Sequence, residues 1–361
     1  MKFLCGALTA GLSWLAAILL IGCAAGPMTS PGERTPGGRN ALPQTGEYRV
    51  SVYDPARVFP GTTLLCDMSR PERPCIVEVD HAGRVQWRHC VYSQRGDRGA
   101  LLDAALLPSG NILFTWTHHG IYEIDRSGRT VWKHEDGGAS HDADRLPNGN
   151  TLYNRAWEPK GAEVVVEVDR DGRKVWSWTG MAAFDRAPFS EVESEGWMHV
   201  NAVTRLANGN TLISIRNFNT VVEVDPAGRV AWSITFAGET RAGLRTEGRI
   251  RGVHNHEPEI LPDGRLLVAL REPNRFVEID RETETVVWSW THPEGPQVLH
   301  LNREVNRLPN GNTLVSAEDR LIEIAPDGAM VWQMHAPAGS QPRKFHKAIR
   351  IAADKRTAYG D

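Results

Sequence analysis

Histidines and arginines stand at fixed distances from a repeated turn in this 361-residue chain. With the leucine of each LPNG-like turn as origin (Leu146, Leu206, Leu261, Leu308), the fifth residue upstream is His141, Asn201, His256 and Arg303 in turn. The seventh upstream is His199 and His254 in the second and third of these units, and the tenth downstream is Arg216 and Arg271 in the same two. A neutral imidazole can act as nucleophile or carry a proton, and a guanidinium stabilises charge growing on oxygen. Positions five and seven upstream share side-chain parity on a strand, so these groups are expected to project from one face. Trp197 keeps the parity of His199 and would supply an aromatic wall. The expected site therefore joins His141, His199, Asn201, His254 and His256 to Arg216 and Arg271.

Competing readings of the same residues exist. Any one of these histidines can be a hydrogen-bonded packing group, and Arg216 and Arg271 can close ion pairs with Glu257 or Glu259. His254 and His256, in the run HNH, have the alternation of a metal pair, but no matching carboxylate accompanies them and no metal is expected. His118, His119 and His346 do not complete a chemical set and read as structural or surface groups.

The elements that must position these side chains come from an internal repeat. A strand-like segment closing on tryptophan recurs as IVEVDHAGRVQW, IYEIDRSGRTVW, VVEVDRDGRKVW, VVEVDPAGRVAW, FVEIDRETETVVW and LIEIAPDGAMVW. Its closing residues are Trp87, Trp132, Trp176, Trp232, Trp288 and Trp332. Between copies lie LLPSGNILF, RLPNGNTLY, RLANGNTLI, ILPDGRLLV and RLPNGNTLV, whose Asn-Gly and Asp-Gly pairs suit tight hairpins. Each unit is thus four short antiparallel strands. Such a sheet cannot bury both faces alone, and radial packing of six solves this, which predicts an all-β, six-bladed β-propeller with the tryptophans wedged between blades. The first unit lacks an innermost strand and the last residues include FHKAIRIAAD, so the C-terminal strand should complete the first blade and close the ring. The two longest connections, TGMAAFDRAPFSEVESEG and TFAGETRAGLRTEGRIRGV, enter the units that carry His199 and His254.

The N-terminus has a different character. Lys2 precedes an uncharged, mostly apolar run from Phe3 to Ile21, which reads as an export signal spanning residues 1–22. LIGC resembles a bacterial lipobox ending at Cys23, the residue expected to carry lipid. Residues 23–47, rich in Gly and Pro, are expected to be a flexible tether, with the propeller filling 48–361. The protein is accordingly expected on the cell envelope, at the periplasmic face of an outer membrane. Loss of Lys2 with the signal leaves 40 basic and 44 acidic side chains. No basic patch argues for nucleic acid. Of the remaining Cys66, Cys75 and Cys90, the first two flank a loop, DMSRPERP, and are the first choice of disulfide; three buried, unbonded cysteines are the alternative, and the sequence does not say which cysteine is unpaired.

The motifs HDADRLPNGNTL, WMHVNAV followed by SIR, and HNHEPEILPDG, with the opening VYDPARVFPGTTLLC, resemble the bacterial arylsulfotransferase family. Those six-bladed propellers move a sulfuryl group between phenols without a nucleotide donor. The resemblance spans nearly the whole chain after the signal. It implies catalytic roles for His141, for His199 with Arg216, and for His256 as the histidine that carries the sulfuryl group. It also implies phenols and aryl sulfates as partners and no cofactor. Arg271 lies where the chain departs from the family, reading LLVALREPN in place of LLxFDNG. Two other classes remain open: a non-catalytic, lipid-anchored propeller that binds a ligand or an envelope protein, and a quinone-dependent dehydrogenase, for which axial acidic and calcium-binding residues are not evident.

Overall fold

The computed structural model describes residues 18–19, 46–92, 99–192, 195–236, 254–272, 274–337 and 344–354. Cys23, most of the signal segment and nearly all of the tether lie outside them. Each repeat forms one sheet of four antiparallel strands, running from an innermost strand outward. Blade 2 is Leu101–Leu106, Ile112–Trp116, Gly120–Ile124 and Thr130–Glu135. The innermost strands of blades 3, 4, 5 and 6 are Ala143–Arg145, Val200–Arg205, Asn255–Ile260 and Glu304–Arg307. Blade 1 is composite: the C-terminal strand Phe345–Ala352 pairs with Gly61–Asp67, followed by Cys75–Val79 and Val85–Cys90. The closure expected from the sequence is therefore present.

A second clasp was not legible. Arg49–Tyr53 adds antiparallel to the outer edge of blade 6, on Met330–His335, before the chain enters blade 1. It covers Trp332, which is wholly buried, whereas Trp87, Trp132, Trp176, Trp232 and Trp288 are only partly so.

Adjacent blades are joined by one device used six times. The Glu of each VEVD-like strand (Glu78, Glu123, Glu167, Glu223, Glu278, Glu323) pairs with an arginine of the next blade (Arg126, Arg145, Arg205, Arg281, Arg307, Arg350). That arginine lies over the closing tryptophan of the first blade, 4.2–5.4 Å from the ring centre. Each guanidinium thus gains both a carboxylate and a π face, which compensates its partial removal from water. At the seam the arginine is Arg350 of the C-terminal strand, with Glu323 2.6 Å away and both side chains fully buried.

The disulfide differs from expectation: Cys75 bonds Cys90, and Cys66 is a buried free thiol. Register explains the correction. Cys75 stands opposite Cys90 on one neighbouring strand and opposite Asp67, not Cys66, on the other. Cys66 pairs with Ile76, so it points to the other face of the sheet from Cys75.

Candidate active site

The innermost strands surround an axial cavity of about 520 Å³. It is lined by His141, His199, His254, His256, His346, Arg216, Arg271 and Arg303, contributed by blades 3 to 6 and the C-terminal strand. Met68, Ala100, Leu102 and Phe345, from blades 1 and 2, form an apolar wall. Glu195 and Glu272 also line it, with side chains 55% and 68% exposed.

The imidazoles meet closely. The His141 ring centre lies 5.1 Å from His199, 5.8 Å from His346 and 6.3 Å from His256; His256 and His346 are 6.4 Å apart. All four are buried. Burial, reinforced by surrounding cationic groups, holds His141, His199 and His256 well below the ordinary histidine pKa. For His256 the neighbours are His346, Arg303, Arg271 and Arg216. These three rings are consequently neutral near pH 7.

His199 and Arg216 act on each other directly. His199 Nδ1 lies 2.9 Å from the carbonyl oxygen of Glu195, which it can only approach as a donor, so Nε2 carries the lone pair. Arg216 Nη1 donates to that Nε2 at 2.8 Å and also to the Glu195 carboxylate at 3.2 Å. The guanidinium is thereby aimed, and the histidine's free lone pair is occupied. His254 Nδ1 is 3.5 Å from Glu272 Oε1. Glu257 and Glu259, the acids alternatively expected to hold Arg216 and Arg271, face Lys347 and the backbone N–H of Arg307 instead.

Two expected contributors fall elsewhere. Trp197 is a core residue; its Nε1 donates to the Phe189 carbonyl and its ring packs on Phe218. The parity argument fails because His199 has φ 49°, which breaks the alternation between Trp197 and the strand that begins at Val200. The aromatic wall is Trp157, stacked on His118 with ring centres 5.3 Å apart and 5.3 Å from His141. Asn201 lies between blades 4 and 5, where its amide donates to the Asn255 carbonyl, and it does not line the cavity. A bulge between Val200 and Ala202 reorients that part of the strand.

His118 and His346, expected to be structural, line the cavity. The signal for His346 was present: if Ile351 is the origin in FHKAIRIAAD, His346 is again the fifth residue upstream, and Leu102 holds the same place relative to Leu107. Trp157 and His118 follow second strands, outside that count, and only the ring brings them inward. Of the two long connections, the first supplies Glu195 and packs Phe184 and Phe189 on Phe218; the second lies mostly outside the described residues. These residues contain no group of three or more His, Cys, Asp or Glu arranged to hold a metal ion.

The family model described as Arylsulfotransferase (ASST) matches residues 51–241, more than half of the chain and inclusive of His141, His199 and Arg216. The chain belongs to the arylsulfotransferase family. A second model, described as outer membrane protein assembly factor BamB, matches residues 161–357 of this arylsulfotransferase-family chain, overlapping the first. No match was found among curated protein sequences. Among solved structures, a Bacteroides caccae protein of unknown function is 20% identical, with TM-score 0.56, covering 80% of this chain and 98% of its own. A streptogramin B lyase is 12% identical, with TM-score 0.52, covering 86% and 93%. Both likenesses concern the fold.

Proposed function

We propose that this arylsulfotransferase-family protein moves a sulfuryl group from an aryl sulfate to a phenol through a covalent intermediate on His256. The observation that carries this reading is the division of the cavity. Apolar Met68, Leu102 and Phe345, with Trp157, suit an aromatic ring, while Arg216, Arg271 and Arg303 suit the sulfate oxygens near a neutral imidazole.

In the first half-reaction the His256 lone pair attacks sulfur, the S–O(aryl) bond breaks, and its electron pair leaves on the phenoxide. The aimed guanidinium of Arg216 stabilises the sulfuryl oxygens, with Arg271 and Arg303 adding to the field. In the second, the acceptor phenol oxygen attacks sulfur, the S–N bond breaks, and the phenol proton passes to a base. His141, in ring contact with His256, fills that role better than His199, whose Nε2 is taken by Arg216. The proton gained by His141 is then available to the phenoxide leaving in the next turnover.

Exposure to 4-nitrophenyl sulfate with phenol should release nitrophenolate, and mass spectrometry should find one sulfuryl group on His256. His256→Asn should abolish both; an undiminished rate in that variant eliminates the assignment. The overlapping BamB-type match favours the second reading, a binding propeller of the envelope. That reading expects no turnover and selective recovery of an envelope protein by the tethered chain.

A further inference from the structure

Beneath the histidines lies a second ring of side chains that sulfuryl transfer does not use. It occupies the fourth position upstream of the same origins: Asp103, Asp142, Ala202, Glu257, Glu304 and Lys347, one from each blade. Five of the six are ionisable, and four of those are acids. Lys347, from the C-terminal strand, is their one basic member and is buried. Its Nζ lies 2.6 Å from Asp142, 2.8 Å from Glu257 and 3.8 Å from Asp103, and Glu304 also acts on it through space.

Three of the carboxylates also bind backbone. Asp103 accepts the N–H of Ala143, Asp142 that of Val203 and Glu304 that of Ala348, each on the following blade. The chain therefore joins the two rings residue by residue: His141 precedes Asp142, His256 precedes Glu257, and His346 precedes Lys347. Bulges at His256–Glu259 and Phe345–Ala348 let successive residues both approach the axis. The ammonium offsets those carboxyls that are ionised here, and removing it leaves them uncompensated or drives them to take up protons.

We infer that Lys347 is a positioning residue of the histidine site: its ammonium pins the Asp142 and Glu257 backbones, and through them sets the spacing of the His141, His256 and His346 rings. It touches no reacting atom. Its kinetic consequence rests on the sulfuryl-transfer reading; its structural consequence does not.

The test uses the full chain carrying Lys347→Met, together with a charge-balanced variant, Lys347→Met/Asp142→Asn, which removes one charge of each sign and so leaves the net charge of the cluster unchanged while neutralising the carboxylate nearest the ammonium. In the balanced variant, cooperative melting should be retained while kcat for 4-nitrophenyl sulfate falls by about 100-fold, the scale expected when reacting groups shift by about 1 Å. KM should change by no more than about threefold, since the arginines and apolar wall are intact. The imidazole 15N resonances of His141 and His256 should move in the protein without substrate. A folded, balanced variant with wild-type kcat and unmoved resonances overturns the inference, leaving Lys347 as ring closure alone. If the wild-type protein shows no turnover, the sulfuryl-transfer reading fails and the 15N comparison still decides the positioning role.

Discussion

At the residue scale, the decisive property of His256 is that burial and cationic neighbours keep it unprotonated. Its pKa, like those of His141 and His199, lies well below 6.5. A neutral nucleophile then persists into mildly acidic solution, so the acid limb of kcat/KM should have its midpoint below pH 6.5; a midpoint at or above that value contradicts the assignment. Stability follows two opposing signs. A depressed histidine pKa contributes stability that is lost as pH falls below the unfolded value of 6.5. Burial raises Asp103 to about 7 and Glu304 to about 8, and their contribution is present below the unfolded values of 3.8 and 4.5 and lost as pH rises through 7 to 8. Thermal melts should accordingly show a decline from about pH 6.5, above which the histidine contribution no longer opposes it, to about pH 8, where both carboxyls have ionised. Glu304→Gln, which cannot titrate, should flatten that decline; an unchanged slope would remove Glu304 as its source. Residue identity alone suggested the imidazoles and arginines, but not the neutral state of the rings, which depends on groups from five blades closing around them.

At the element scale, the six equivalent Glu–Arg–Trp junctions are chemically alike and differ in burial. Arg350 and Glu323 are fully buried, whereas Arg126 is 36% exposed beside Glu78. Arg350→Met leaves a buried carboxylate unpaired and should cost roughly 3–5 kcal/mol in denaturant unfolding. Arg126→Met should cost on the order of 1 kcal/mol, because water can replace the lost partner. Equal losses would show that burial does not distinguish these junctions. The glutamates of this device are visible in the repeat VEVD, and Arg145, Arg205 and Arg307 in the RLPNG-like turns, whereas Arg126 and Arg281 follow the aspartate of a VEVD-like segment and Arg350 lies in the C-terminal strand; the pairing across blades is not visible, since a repeat sequence specifies each sheet without stating which neighbour its edge residues meet. The disulfide shows the same limit: loop length suggested Cys66 with Cys75, while strand register, which fixes side-chain facing, put Cys75 with Cys90.

For the whole molecule, both ends of the described ring serve as fasteners. Phe345–Ala352 supplies the innermost strand of blade 1, the Arg350 junction, His346 of the cavity and Lys347 of the axial cluster. A chain ending at residue 344 should lose the cooperative melting transition, and an unchanged transition would count against closure as the source of stability. The sequence by itself determined the six units, their four-strand pattern, the seam between first and last blades, and the fixed places of the site residues relative to the turn leucine: His141 and His256 five before it, His199 seven before it, Arg216 and Arg271 ten after it. Local alternation and turn chemistry suffice for those, because each acts within a few residues. Only the tertiary structure decided that Trp157 rather than Trp197 walls the cavity, that His118 joins it, that Asn201 does not, and that a lysine meets acids at the axis. Those outcomes turn on positive backbone angles, bulges and contacts between blades far apart in sequence, where a shift of one residue reverses which way a side chain faces.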